Sequence, residues 1–317
     1  MSARLLDGQA VAAAIREAVA PEVRAFTNAA GRPPGLGIVL VGEHPSSEIY
    51  VRGKVKAGGE SGLWVDLQRL PATATLEELL ALVAMLNSSE RHDGILVQSP
   101  LPDAMGKHAE QRVFDAIDPA KDVDGFHPLN VGRLVQGRAH LTPCTPTGVI
   151  EMLDQTGIPI AGTRAVVIGR SDIVGKPMAM LLLHRHATVT ICHSKTPNLA
   201  AVAAGADILV AALGRAGFVT PEFVKPGATV IDVGINRVTD AAVARQLFDP
   251  GAQRLADFER RGAVVVGDVH PKVAEVAGAL TPVPGGVGPL TIAMLLKNTL
   301  KAAVTRAQTE SRGASER

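Results

Sequence analysis

The sequence predicts an α/β protein of two domains, and three observations carry that reading. A chain of 317 residues, 46% hydrophobic and 20% charged, is long enough for about two cores and apolar enough to fill them. Its first half alternates helical and extended patterns. From about residue 160 five short β-rich runs follow one another, the rhythm of a parallel sheet with crossover connections.

In the first half, alanine, valine and isoleucine recur at helical spacing over residues 7–30. GLGIVLVG (35–42) is an apolar strand. Residues 44–62 read as a helix that opens at Pro45 and stops at Gly62. WVDLQRL (64–70) is a second strand, and TLEELLALVAMLNSS (75–89) an amphipathic helix capped by Thr75. GILVQSPLP (94–102) is a third strand running into a proline-rich loop. KDVDGFHPLNVGRL (121–134) is rich in turn residues, and PCTPTGVIEML (143–153) leads into another helix. The second unit carries its β-rich runs at 164–169, 187–192, 207–214, 228–234 and 263–269, and a glycine-rich turn with a long helix closes the chain at 281–304.

Composition narrows the function. The formal net charge of +1 marks neither a nucleic-acid binder nor a membrane-surface protein. The N-terminal stretch carries acidic residues and reads as a helix, not a signal peptide. No run reaches the roughly 18 apolar residues of a membrane span. Cys144 and Cys192 have no metal spacing and read as small packed residues. A cytoplasmic protein is expected.

Two places carry chemistry. Tyr50 and Lys54 are spaced like the acid/base pair of short-chain dehydrogenases, but that pair lies downstream of its glycine motif, and here it lies some 115 residues upstream. On a helix, positions i and i+4 share a face, so the ring and the amine project together. Gln98 follows a buried-looking strand at its carboxyl end, where open α/β sheets bind ligands. Asp124, in the turn DVDGF, is placed to bind an NH-rich ring, whereas Asp122 reads as the loop's own acceptor. Asp122 and Asp124 lack a third metal ligand, so no metal is expected.

The second place is GRSDIVGKP (169–177), between a strand and a helix. Gly169 and Gly175 stand for the outer glycines of the dinucleotide-binding pattern, the middle glycine is missing, and Ser171 stands close after Gly169. A tight turn there lets the backbone approach a pyrophosphate, and the helix N-terminus favours its charge. NAD sites usually place an acid at the end of the next strand. Here that strand ends CHSKT (192–196), with His193, Ser194 and Lys195, and Arg170 stands in the glycine turn. Positive charge and hydroxyl donors suit a 2′-phosphate, which points to NADP over NAD.

YVRGKVKA, GILVQSPLP, KDVDGFHPLNVGRL, PCTPTG, GRSDIVGKP, CHSKT, VIDVGIN, VGDV and TPVPGGVGP occur in this order. Together they resemble the bifunctional methylenetetrahydrofolate dehydrogenase/methenyltetrahydrofolate cyclohydrolase family, over residues 3 to 304. The resemblance implies a homodimer with a folate substrate. Each subunit would have a catalytic domain, residues 1–147 completed by the C-terminal helix at 287–306, a Rossmann-like NADP domain at 148–286 and a folate cleft between them; the polar composition of the tail at 307–317 itself reads as frayed. It implies Lys54 as the catalytic lysine, Gln98 as its hydrogen-bonding partner, Tyr50 packed on the folate rings and Asp124 anchoring the pterin edge. Gly169, Arg170, Ser171, Ser194 and Ile235 match cofactor-binding positions. A two-domain NADP dehydrogenase of the shikimate type is the alternative, and it leaves DVDG and PVPGGVGP unexplained together. Two departures stand out: the glycine pair in AGGESG (57–62), expected to shorten or loosen its helix, and a long segment at 239–263, expected to add a surface helix.

Overall fold

The computed structural model describes residues 3–315. A two-residue strand, β1 (Arg4–Leu5), precedes helix α1 (Gly8–Ala30). By their contacts the residues fall into two units. One joins the start of the chain through Val11 to Thr145–Leu290; the other joins Ala12–Cys144 to the stretch from Thr291 onward.

The unit beginning at Ala12 holds β2 (Gly35–Val41), α2 (Pro45–Glu60), β3 (Trp64–Leu70), α3 (Leu76–Ser88), β4 (Gly94–Val97), α4 (Ala109–Ala116) and α5 (Pro128–Val135). The strands form a parallel sheet in the order β3-β2-β4. β2 is the central strand and is buried along its whole length, which explains its unbroken apolar run. Val39, Val41, Ile95 and Val97 pack against Leu79, Val83 and Leu86 of α3 and Val113 of α4. Thr75 caps α3 as the sequence predicts: its side chain accepts from Glu78 N, and the Glu78 carboxylate accepts from Thr75 N at 2.7 Å. β4 stops at Val97, ahead of Pro100 and Pro102, which have no N–H to give a ladder. The glycine pair does not shorten α2. A Cβ on Gly58 would stand 2.5 Å from Val65 Cγ2, so this glycine lets the helix lie close on β3.

The other unit adds α6 (Cys144–Gln155), β5 (Arg164–Ile168), α7 (Gly175–His184), β6 (Thr188–Cys192), α8 (Leu199–Ala203), β7 (Ile208–Ala211), β8 (Thr229–Asp232), β9 (Asn236–Val238), α9 (Ala241–Leu247), α10 (Gln253–Arg261), β10 (Val264–Val266) and β11 (Ala279–Leu280). Its main sheet is parallel, ordered β1-β11-β8-β7-β5-β6. Four of the five expected β-rich runs lie in it. The fifth does not: β10 pairs antiparallel with β9 in a separate ribbon, while β1 and β11, two residues each, take the remaining places. Pairing of β1 with β11 is also why the first residues belong with this unit, although the sequence reading placed them in residues 1–147. The 239–263 segment supplies two helices, not one. Asp240 caps α9, and Leu247, Phe248, Leu255 and Phe258 bury against the ribbon as a small core of their own. The last helix, α11 (Val287–Ser315), runs nine residues beyond 306, where the expected tail begins, because nothing before Gly313 interrupts helix-forming residues. Residues 316 and 317 of that tail lie outside the described residues. Among the described residues no helix is long and apolar enough to cross a membrane.

Candidate active site

Lys54 sits on the buried face of α2, 6% exposed. Its Nζ donates to Gln98 Oε1 at 2.9 Å. Gln98 is held at the end of β4 by its own N–H, which donates to Val39 O at 2.9 Å. Its side-chain amide donates through Nε2 to Ser99 O at 2.6 Å, and that bond turns Oε1 towards the lysine. Tyr50, one turn earlier on α2, is half-buried, and burial raises its phenol pKa. Burial lowers the pKa of Lys54, while the charge of Asp124 works in the opposite direction.

Asp124 reaches this centre from the turn after residue 121. Gly125 makes the turn at φ +72°, where a Cβ would stand 2.7 Å from Pro143 N, so glycine is required there. Asp122 holds the same loop together. It is buried and accepts from His127 N at 2.8 Å and Asn130 Nδ2 at 2.9 Å. Asp124 takes no such part. Burial pushes its carboxyl up to about 6, opposed by the charge of Lys54 and assisted by that of Asp122.

Two further residues complete the surroundings. Asn298 on α11 is buried and donates to Val123 O at 2.8 Å and Thr142 O at 2.9 Å, clamping the two segments that flank Asp124. The Cys144 thiol donates to Val123 O at 3.3 Å, and burial raises its pKa well above the ordinary thiol value, so it stays protonated. Sequence reasoning missed Asn298, and its one signal was an amide one turn from the apolar Met294, Leu295 and Ala302. Arg52 and Lys56, the other cations of α2, are exposed, and Lys56 lies 3.8 Å from Glu60.

The cofactor candidates gather at the carboxyl edge of the main sheet. Ile168 pairs with Cys192, so residues 169–171 and 193–195 leave neighbouring strands side by side. Gly169 has φ +130°, and a Cβ there would stand 2.1 Å from Ala212 O. A Cβ on Gly175 would stand 2.3 Å from Gly169 O. Gly175 follows Gly169 by six positions, one more than separates the outer glycines of G-x-G-x-x-G. Ser171 Oγ takes up the added residue by accepting from Val174 N and Gly175 N, both at 3.2 Å, at the start of α7. Arg170, Ser171, Ser194 and Lys195 are exposed along this edge, and Ile235, past the end of β8, is 47% exposed. A bare glycine turn at a helix N-terminus, lined by cationic and hydroxyl side chains and no acid at the end of β6, fits a dinucleotide with a 2′-phosphate. Among the described residues no group of three or more acidic, histidine or cysteine side chains is arranged to hold a metal.

Comparison with known proteins agrees with both halves. Residues 6–124 match the catalytic domain of tetrahydrofolate dehydrogenase/cyclohydrolase, and residues 143–307 its NAD(P)-binding domain. The bifunctional protein FolD of Koribacter versatilis is 56% identical over 306 residues, covering 96% of this chain and 98% of that protein. Among solved structures, the Trypanosoma brucei methylenetetrahydrofolate dehydrogenase-cyclohydrolase, complexed with NADP cofactor and inhibitor, is 40% identical with a TM-score of 0.86, covering 97% of this chain and 99% of that one. The Campylobacter jejuni bifunctional enzyme is also 40% identical, with a TM-score of 0.83, covering 96% of this chain and all of that one. The chain belongs to the tetrahydrofolate dehydrogenase/cyclohydrolase family.

Proposed function

We propose that this chain oxidises 5,10-methylenetetrahydrofolate with NADP+ to the 5,10-methenyl cation and then hydrolyses that cation to 10-formyltetrahydrofolate, with Lys54 as the acid/base group of the second step. The observation that carries the reading is the buried Lys54–Gln98 hydrogen bond of 2.9 Å, with Asp124 in charge contact with the same amine. Bound NADP+ supplies the hydride acceptor. The first step needs no protein base, because the lone pair of the substrate nitrogen expels the hydride, and the protein's task is to orient the reacting rings. Tyr50 offers a half-buried ring for the folate, and Asp124 offers a carboxylate to the pterin N–H groups. In the second step water adds to the methenyl carbon, and the ring opens as protons move. An amine whose pKa burial lowers gives up its proton more readily than a solvated lysine and can return it, and Gln98 keeps it aimed.

Arg170, Ser194 and Lys195 favour NADP over NAD. Two buried, unpaired cysteines accord with a reducing cytoplasm. A homodimer is part of the same reading, as is a catalytic domain completed by α11, which the clamp from Asn298 supports. The test is a spectrophotometric assay with 5,10-methylenetetrahydrofolate and NADP+ or NAD+, following reduced cofactor and the methenyl species separately. NADPH with little methenyl build-up is expected. Accumulating methenyl would remove the hydrolytic step, and reduction of neither cofactor would sink the folate reading.

A further inference from the structure

The loops that wall the cofactor edge are tied to one buried carboxylate, Asp268 of the VGDV segment, to which no role has been given above. Sheet order places β7 beside β5, and the chain turns to opposite sides from that point, where doubly wound sheets bind dinucleotides. The loop after β7 packs directly on the glycine turn, since Ala212 O occupies the space a Gly169 Cβ would need. Its next three N–H groups all point at Asp268. Leu213 N and Gly214 N donate to Oδ2 at 2.7 and 2.9 Å, and Arg215 N donates to Oδ1 at 2.8 Å. Oδ1 also accepts from Asn236 Nδ2 at 2.9 Å. Asn236 directly follows Ile235, so the same carboxylate holds the loops after both β7 and β8.

Asp268 is itself fixed. It is fully buried, and its backbone N–H donates to Asp232 Oδ1 at 2.9 Å. Asp232, at the end of β8, also accepts from Gly234 N at 3.0 Å and Val269 N at 3.0 Å. There is no room for a side chain around the pair: a Cβ on Gly234 would stand 2.3 Å from Asp268 Oδ1, and one on Gly267 1.7 Å from Asp232 Oδ2. Three successive N–H groups converging on an anion form a nest. Here the anion belongs to the protein, so the nest sets the loop's shape before any ligand arrives.

We propose that Asp268 is a positioning residue for the dinucleotide: it presets the 213–215 loop and, through Asn236, the Ile235 loop, so that the crevice needs no reorganisation when the cofactor binds. This rests on the cofactor reading above. An asparagine at 268 keeps the volume but turns an NH2 group against backbone donors, which forces the loop to move. Asn236→Ala removes one of the four bonds and leaves the nest.

The test titrates the full-length chain with NADPH by fluorescence and measures KM for NADP+ and kcat alongside, with melting curves as a fold check. Asp268→Asn is expected to raise the NADPH Kd and the NADP+ KM at least tenfold, with kcat at saturating NADP+ changed less than threefold. Asn236→Ala is expected to raise Kd about threefold. A merely structural role lowers the melting temperature and leaves the Kd of the folded fraction unchanged, so Kd values within twofold of wild type for both variants overturn the proposal. If Asp268→Asn does not fold, Asn236→Ala decides by the same criterion. Wild-type protein that binds NADPH without oxidising the folate would sink the proposed reaction and leave this test standing; wild-type protein that binds no NADPH would overturn the cofactor reading itself.

Discussion

Burial pushes two carboxyls of this chain far above the ordinary range, Asp124 to about 6 and Asp232 to about 7, in surroundings of opposite kind. Asp232 accepts three backbone N–H groups, and its neighbour Asp268 three more and an amide. Their lone pairs are committed to the fold. Asp124 is shifted by burial and by the charges of Lys54 and Asp122, with no backbone N–H of the described residues donating to it. A raised carboxyl therefore does not by itself mark a reacting group. What separates the two centres is whether the oxygens have capacity left for something outside the protein.

The largest test of that contrast removes the amine from the uncommitted centre. Lys54→Met is expected to lower cyclohydrolase activity by about 10²–10⁴, the usual range for a positioned acid/base group, with the melting temperature little changed. Methionine fills much of the same volume without burying a charge. Hydrolysis at the wild-type rate would strip Lys54 of its role and break the comparison on one side.

The next test sets the two carboxylates against each other in chemical denaturation. Asp232→Ala leaves three buried N–H groups without an acceptor and is expected to cost about 3 kcal/mol or more, at about 1–3 kcal/mol per orphaned group with partial relaxation. Asp124→Ala is expected to cost less than about 1 kcal/mol in stability, because it orphans no donor, and to raise the folate KM roughly tenfold, the loss of one charged hydrogen bond. Equal stability losses would mean the two centres do not differ in kind.

A smaller effect follows from the sign of the coupling. The negative charge of Asp124 raises the Lys54 pKa, against burial, which lowers it. Asp124→Asn removes the raising influence, so Lys54 loses its proton at a lower pH than in the wild type. Where hydrolysis needs the neutral amine, the rising limb of its pH–rate profile moves to lower pH. A limb that stays put or moves upward would show that Asp124 does not act on this lysine.

The sequence made the uncommitted centre more legible than the saturated one. Lys54, Gln98 and Asp124 are polar residues standing at a helix face, a strand end and a turn, where a side chain has no local reason to be buried. Asp232 and Asp268 each follow an apolar run and look like ordinary strand-end acids. All but one of the backbone N–H groups they accept from lie 36 to 55 residues away, which no local pattern reports. The same limit explains the sheet. Runs of four to seven apolar residues were readable as strands, but β1 and β11 are too short to carry a period, and β10 has strand composition without the partner that composition suggests. Gly58 misled in the opposite direction, since its local helix cost is outweighed by the close approach of β3.

The smallest prediction concerns the rim of the crevice, where neither kind of buried carboxylate operates. Lys195 is exposed at the end of β6, next to Ser194, and Arg170 stands on the neighbouring strand's turn. An exposed charge pair contributes up to about 1 kcal/mol, so Lys195→Ala is expected to lower the preference for NADP+ over NAD+ by about fivefold, measured as the ratio of kcat/KM values. The loss should come from a weaker NADP+ KM, with the NAD+ parameters unchanged, because only the 2′-phosphate distinguishes the two. The preference should also shrink as salt is raised in the wild type, and do so less in the variant, since a solvated pair is screened and an absent one is not. If the ratio holds, Lys195 is a solvated surface charge, and discrimination falls to Arg170 and Ser194. If both cofactors weaken together, the substitution has disturbed the shared crevice, and the rim is as tightly coupled to the fold as the loops that Asp268 holds.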